Sequence, residues 1–173
     1  MPRLILTLAA ALVALAAPVL AAEPDRMVFS SIDGGTLRID GPALVTNTAS
    51  LCAYTPQFDD LQTLHEDYAK AGLTVLAVPS EDFRQELDSE DAVKDFCDVN
   101  FDLTLPMTVI TPVTGAQAHP FYRWLAQDHG IAPRWNFHKV LIGAEGEVLG
   151  QWGSPVSPTA PAITRAVEAA LGD

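Results

Sequence analysis

Two cysteines, Cys52 and Cys97, are the side chains of this sequence with the widest choice of chemistry. An even pair of thiols can be a structural disulfide or a nucleophile and its partner, and the count alone does not divide these. Cys52 lies between an apolar run, Ala43-Leu44-Val45-Thr46-Asn47-Thr48, and a helical pattern that opens at Pro56. A strand-to-helix turn offers free backbone N–H groups and the positive end of a helix dipole, both of which favour a thiolate over a thiol. A thiolate attacks the O–O bond of a peroxide and leaves a sulfenic acid. A buried inert cysteine fits the same position equally well. The run Cys52-Ala53-Tyr54-Thr55 lacks the second cysteine of a C-x-x-C exchange site, and Pro56 stands where a C-x-x-x-C copper-delivery pair needs one. His65, His119, His129 and His138 show no metal-ligand spacing with the cysteines, so neither a metal nor a cofactor is expected.

The elements that must position these residues follow from pattern. Residues 23–41 read as a short lead-in with a turn at Asp33-Gly34-Gly35. Ala43 to Thr48 reads as a buried strand. From Pro56, Phe58, Leu61, Leu64 and Tyr68 recur at helical spacing; Asp59 and Asp60 come early, Lys70 late, and Gly72 is placed to end the helix. Leu73 to Val78 is a strand stopped by Pro79, and a polar loop runs from Ser80 to Asp88. Ser89 is placed to cap a second helix with Ala92, Val93, Phe96 and Val99 as its apolar side. A strand over Met107–Thr111, a short helix over Pro120–Gln127, a hairpin of His138–Ile142 with Glu147–Trp152, and a last helix from Ser157-Pro158 to Gly172 complete the order. Alternation followed by a hairpin predicts an α/β thioredoxin-like fold, a central mixed β-sheet flanked by helices.

At 173 residues the chain has room for one domain with a real core. Residues 1–22 read separately. Arg3 supplies a positive end, Leu4 to Leu20 is apolar apart from Thr7, and Val19-Leu20-Ala21 suits a signal peptidase. This predicts a secretory leader cut after Ala21 or Ala22, followed by a single domain over 23–173. A retained anchor is the rival, since about 17 apolar residues is the lower limit for spanning a bilayer. Cleavage would leave 9 basic and 22 acidic residues, a net charge of −13. Such a chain is not expected to bind nucleic acid, nor a membrane once the leader is cut. A leader on an acidic domain points to export, to a bacterial periplasm.

The run Asn47-Thr48-Ala49-Ser50-Leu51-Cys52-Ala53-Tyr54-Thr55-Pro56-Gln57-Phe58 resembles the glutathione peroxidase pattern N-V-A-S-x-C-G-[FY]-T-x-Q-[YF], with cysteine in place of selenocysteine. Phe96-Cys97 through Leu105-Pro106-Met107 is similar to the family's F-C-x-x-N-[YF]-x-V-T-F-P-M, and Trp135-Asn136-Phe137-His138-Lys139-Val140-Leu141 to W-N-F-x-K-F-L. His119-Pro120-Phe121-Tyr122 resembles the family's H-P-x-Y. The resemblance runs from Phe29 to Leu171. It implies a thiol peroxidase that reduces hydrogen peroxide or organic hydroperoxides. Cys52 would be the peroxidatic cysteine, Trp135 and Asn136 its hydrogen-bond donors, and Cys97 the resolving cysteine of the thioredoxin-dependent members. A thioredoxin-like reductant is then expected ahead of glutathione, an anionic tripeptide that an acidic surface does not attract. The short stretch Gln127-Asp128-His129-Gly130 stands where tetrameric members carry an insertion, which points to a monomer.

One loop departs from the pattern. The family reads F-P-C-N-Q-F-G-x-Q-E-P, and its first Gln belongs to the active site. Here Val78-Pro79-Ser80-Glu81-Asp82-Phe83-Arg84-Gln85-Glu86-Leu87 puts Asp82 at that Gln, lacks the Gly, and is one residue shorter before Gln85. A carboxylate beside a thiolate raises its pKa. Three outcomes stay open: Asp82 points away, Gln85 takes over, or the site is impaired. Two further functions use the same residues: a peroxide-sensing or thiol–disulfide relay protein, and a catalytically retired binding domain.

Overall fold

The structure, a computed structural model, describes residues 25–172; the expected leader lies outside the described residues. The strands are β1 (Val28–Ser30), β2 (Thr36–Arg38), β3 (Ala43–Thr48), β4 (Thr74–Pro79), β5 (Lys139–Ile142) and β6 (Val148–Trp152); the helices are α1 (Gln57–Tyr68), α2 (Glu90–Phe101), α3 (Pro120–His129) and α4 (Pro161–Leu171). The main sheet has the order β4-β3-β5-β6. β3 pairs parallel with β4, and antiparallel with β5, which is antiparallel to β6. This is the mixed α/β sheet expected from the alternation and the late hairpin.

Period-two alternation on β3 divides the core. Leu44 joins Val75, Ala77 and Leu141 under α1, α2 and α4, where Phe58, Leu61, Leu64, Val93, Cys97, Ile163 and Val167 are buried. Ala43 and Val45 face the other way, with Leu76, Val78, Val140 and Ile142, against Phe121, Tyr122 and Leu125 of α3 and Phe29 of β1. Sitting between two covered faces, β3 is buried at every position. Among the described residues no helix is long and apolar enough to cross a membrane.

Several expectations need correction. Residues 28–38 form an antiparallel ribbon, β1 with β2, where only a turn was expected. Met107–Thr111 is not a strand of the sheet: flanked by Pro106 and Pro112, it makes single bridges, Ala77 to Met107 and Ser31 to Thr108, along the outer edge of β4. The last helix starts at Pro161, because the Ser157 hydroxyl donates to Asp60 Oδ2 at 2.8 Å and holds 157–159 in a turn against α1. Val99 does not belong to the buried side of α2 and is 82% exposed, since that side is set by Val93 and Cys97 one turn apart.

Candidate active site

Thr55 closes the turn that carries Cys52. Its hydroxyl donates to Ala49 O at 2.9 Å and accepts the Cys52 N–H at 3.0 Å, while Thr55 N donates to Cys52 O at 3.1 Å. Cys52 is 7% exposed and its Sγ accepts the Tyr54 N–H at 3.4 Å. The amides that open α1 are otherwise engaged: Gln57 N and Phe58 N donate to Tyr54 O and Thr55 O. The donor to the sulfur is thus an amide of the turn itself and not the first amide of the helix.

Asn47 brings the distant half of the site alongside. Asn47 N donates to His138 O and Asn47 O accepts the Phe137 N–H; Asn47 Nδ2 donates to Trp135 O and Asn47 Oδ1 accepts the His138 N–H. These bonds hold Phe137 at φ 61°, a left-handed conformation that a bulky residue rarely adopts. Phe137 is nevertheless fully buried, edge-on to Phe58 at 5.4 Å. The kink turns Asn136 inward: it is fully buried, its Nδ2 donates to Gln85 Oε1 at 3.1 Å, and its main-chain oxygen accepts the Ser154 hydroxyl at 2.6 Å. Trp135 stays 42% exposed with its ring 5.5 Å from Phe83. Neither Trp135 nor Asn136 donates to Cys52 Sγ here; the carboxamide is engaged by Gln85.

In the shortened loop the carboxylate of Asp82 is engaged by residues 113–114. Asp82 Oδ2 accepts Val113 N at 2.7 Å, Thr114 N at 2.7 Å and the Thr114 hydroxyl at 2.9 Å, which ties the loop to 113–114. Arg84, where the family pattern carries glycine, adopts φ 57°, a conformation that costs a non-glycine residue about 1–2 kcal/mol. This turn delivers Gln85: its main-chain oxygen accepts the Leu51 N–H at 2.9 Å, next to Cys52, and its side chain meets Asn136. Gln85 and Asn136 thus form an amide pair, and the main chain of Gln85 is tied to Leu51, the neighbour of Cys52. We predict that Gln85→Ala slows oxidation of Cys52 by about tenfold or more through loss of preorganised polar support. Asp82→Ala leaves that rate within about threefold and costs about 1–2 kcal/mol of stability. Stopped-flow peroxide kinetics and denaturant melts on both variants check this order.

Cys97 lies on α2, 1% exposed and free, in the same apolar cluster as Cys52, which is also free. It lines a pocket of about 150 Å³ with Ile32, Lys94, Leu103, Leu105 and Met107. Lys94 Nζ bridges that helix to Asp33, at 2.9 Å. Burial, then the charges of Glu86 and Asp98, push the Cys97 thiol up to about 12, with Lys94 opposing. At neutral pH it is a protonated, enclosed thiol.

Three supporting residues were not singled out from the sequence. Asn47 is a polar residue inside an apolar strand, which demands partners. Glu86 is buried; its Oε1 accepts Ser50 N and Leu87 N, both at 2.9 Å. Lys139, fully buried on β5, donates from Nζ to Gln57 Oε1, to Ser154 O and to Val156 O. Its folded pKa falls to about 8 through burial, against the opposing charge of Asp60.

Comparison with known proteins bears on this arrangement. Residues 31–126 match the family model described as glutathione peroxidase. The glutathione peroxidase homolog BsaA of Halalkalibacterium halodurans is 36% identical over 124 residues, 69% of this chain and 79% of that protein. The hydroperoxy fatty acid reductase gpx1 of Synechocystis is 35% identical over 126 residues, covering 66% of this chain and 75% of that protein. Among solved structures, T. cruzi GPX1 superposes with a TM-score of 0.63 at 25% identity, over 84% of this chain and 94% of the other. A thiol:disulfide interchange protein of the thioredoxin family from Chlorobium tepidum shares the fold at a TM-score of 0.62 and 20% identity, over 84% and 92% of the two chains. With the model spanning more than half of the sequence and falling on the turn that carries Cys52, this chain belongs to the glutathione peroxidase family.

Proposed function

We infer that this protein is a thiol peroxidase in which Cys52 reduces hydroperoxides. The observation that carries the reading is the Cys52 turn, where a backbone N–H donates to the sulfur and Leu51 N donates to the main chain of Gln85, whose half-buried side chain accepts from the buried Asn136. The thiolate attacks the terminal peroxide oxygen, the O–O bond breaks, and water or an alcohol leaves. Cys52 is left as a sulfenic acid. The carboxamides and the Trp135 indole would stabilise charge on the sulfur and on the departing oxygen as substrate enters. Cys97 then attacks the sulfenic sulfur, expels water and forms the Cys52–Cys97 disulfide.

The disulfide is returned to thiols by a thioredoxin-like reductant rather than glutathione. The acidic balance of the chain supports this choice, together with the presence of Cys97. The protein works as a monomer in a bacterial periplasm, after loss of residues 1–22, and a membrane-tethered thioredoxin-like reductase is the partner that fits. The test of the enzyme is the rate at which reduced protein reacts with hydrogen peroxide, followed by tryptophan fluorescence. A rate at least about a hundredfold above free cysteine supports it, and a rate equal to free cysteine sinks it. Faster turnover with millimolar glutathione than with the reductase would reverse the choice of reductant.

A further inference from the structure

Trp135 also lines a cavity to which the reaction steps give no use. The cavity holds about 570 Å³, and its wall includes Arg134, Trp135, His138, Gln151, Ser154 and Pro155. Two of these residues join it to the site already described. The Trp135 ring lies 5.5 Å from Phe83, on the loop that carries Gln85. The Ser154 hydroxyl donates to Asn136 O at 2.6 Å, and Ser154 O accepts from Gln57 Nε2 at 2.7 Å, at the start of the helix that follows the Cys52 turn.

The charge of this wall runs against the rest of the chain. The sequence carries 22 acids against 10 bases. Yet among the described residues both titratable side chains of the wall, Arg134 and His138, are basic, and no aspartate or glutamate lines it. A cleft of about 490 Å³ beside Trp124 also has two arginines, Arg26 and Arg123, but there Asp25 and Asp128 share the wall. His138 is 9% exposed. Burial, then the charge of Lys139, lowers its pKa; a hydrogen bond with Gln151 opposes the fall and Arg134 adds to it. At neutral pH His138 is therefore an uncharged hydrogen-bonding group, and Arg134 carries the charge of the cavity. The planar fork of a guanidinium matches a carboxylate, and the indole and Pro155 offer apolar surface beside it.

We propose that this cavity is a subsite for a carboxylate, and that the preferred substrate is a hydroperoxide with a carboxylate on an apolar body. The anion sits on Arg134 and the apolar part lies against Trp135 and Pro155. The bonds made and broken at Cys52 are those already given; the subsite selects which hydroperoxide is held beside them. The proposal deepens the peroxidase reading and rests on it.

The experiment compares cumene hydroperoxide with its para-carboxylate, which differ only in the anion. Rates of oxidation of the reduced protein are measured with both, for wild type, Arg134→Gln and Arg134→Lys. Binding of 4-isopropylbenzoate, an analogue without the peroxide, is followed by tryptophan fluorescence, since Trp135 lines the cavity. The wild type should prefer the carboxylate form by about fivefold or more, the scale of a charge-assisted hydrogen bond. The preference should fall to about one in Arg134→Gln, return in part in Arg134→Lys, and shrink as salt is raised to about 1 M. Affinity for 4-isopropylbenzoate should fall by about fivefold in Arg134→Gln. Equal wild-type rates with the two peroxides, a preference that survives Arg134→Gln, or equal slowing of both peroxides in that variant overturns the proposal. Saturable turnover with glutathione that depends on Arg134 gives the subsite to a reductant and overturns the substrate assignment. A wild type that reacts with neither peroxide faster than free cysteine overturns the peroxidase reading instead, and 4-isopropylbenzoate binding then still decides whether the cavity takes a carboxylate.

Discussion

Cys52→Ser and Cys97→Ser are expected to stop the same cycle at different points. Serine at 52 leaves a hydroxyl whose ionisation lies far above that of a thiol, so the same turn gives no nucleophile and peroxide consumption falls to the blank. The tryptophan signal should then be flat on addition of hydrogen peroxide. Serine at 97 leaves the first step untouched in mechanism: Cys52 is oxidised once, and a sulfenic acid accumulates that a dimedone-type reagent traps. Turnover with a thioredoxin-like reductant should drop by about a hundredfold or more, because no intramolecular thiol supplies the high effective concentration of the resolving step. Mass spectrometry separates the outcomes. A Cys97→Ser protein that turns over like wild type removes Cys97 from the cycle, and a Cys52→Ser protein still oxidised at wild-type rate moves the reactive centre elsewhere.

Lys139→Met should cost roughly 3–5 kcal/mol of stability, the scale seen when buried acceptors lose a charged donor. The ammonium on β5 holds two pieces of chain that are far apart in sequence: Gln57 at the start of α1, and the segment of Ser154 and Val156 between β6 and α4. Methionine fills much of the same volume, so the loss measures the hydrogen bonds more than the cavity. For a chain of this size the midpoint of thermal unfolding should fall by roughly 10 °C. The effect should reach the site, because the Ser154 hydroxyl donates to Asn136 O. Cys52 oxidation is therefore expected to slow by about threefold or more, a modest share of what a direct donor supplies. Paired melts and peroxide kinetics check both, and a loss under about 1 kcal/mol would show that the three acceptors find other partners.

The sequence was most legible where spacing is rigid. β3 is an apolar run of strand length and α1 has a helical period, so the turn between them, and Cys52 in it, could be placed without a structure. The main errors share a cause, which is tertiary contact acting on short segments. Three-residue strands such as Val28–Ser30 carry too little pattern to register. Met107–Thr111 has strand composition, but two prolines confine it to bridges at an edge. Val99 has the right chemistry for the core and the wrong angle, two residues beyond Cys97 on α2. In the site, Trp135 and Asn136 were visible as a motif. The partners of Asp82 were not, because they depend on where the amides of Val113 and Thr114 wait to take a carboxylate. Glu86 was hidden for a similar reason: nothing in a polar loop tells which acid will be driven inside.

The grip of Asn47 on residues 135–138 also orders events during folding. Those hydrogen bonds join positions 88 to 91 residues apart, whereas β3, α1 and β4 are consecutive and can assemble from near neighbours. Closing so long a loop is slow relative to local pairing. The turn that carries Cys52 is therefore expected to form before Trp135 and Asn136 dock beside β3. A chain that ends before residue 135 would keep the β3–α1 turn and lack the segment that Asn47 holds.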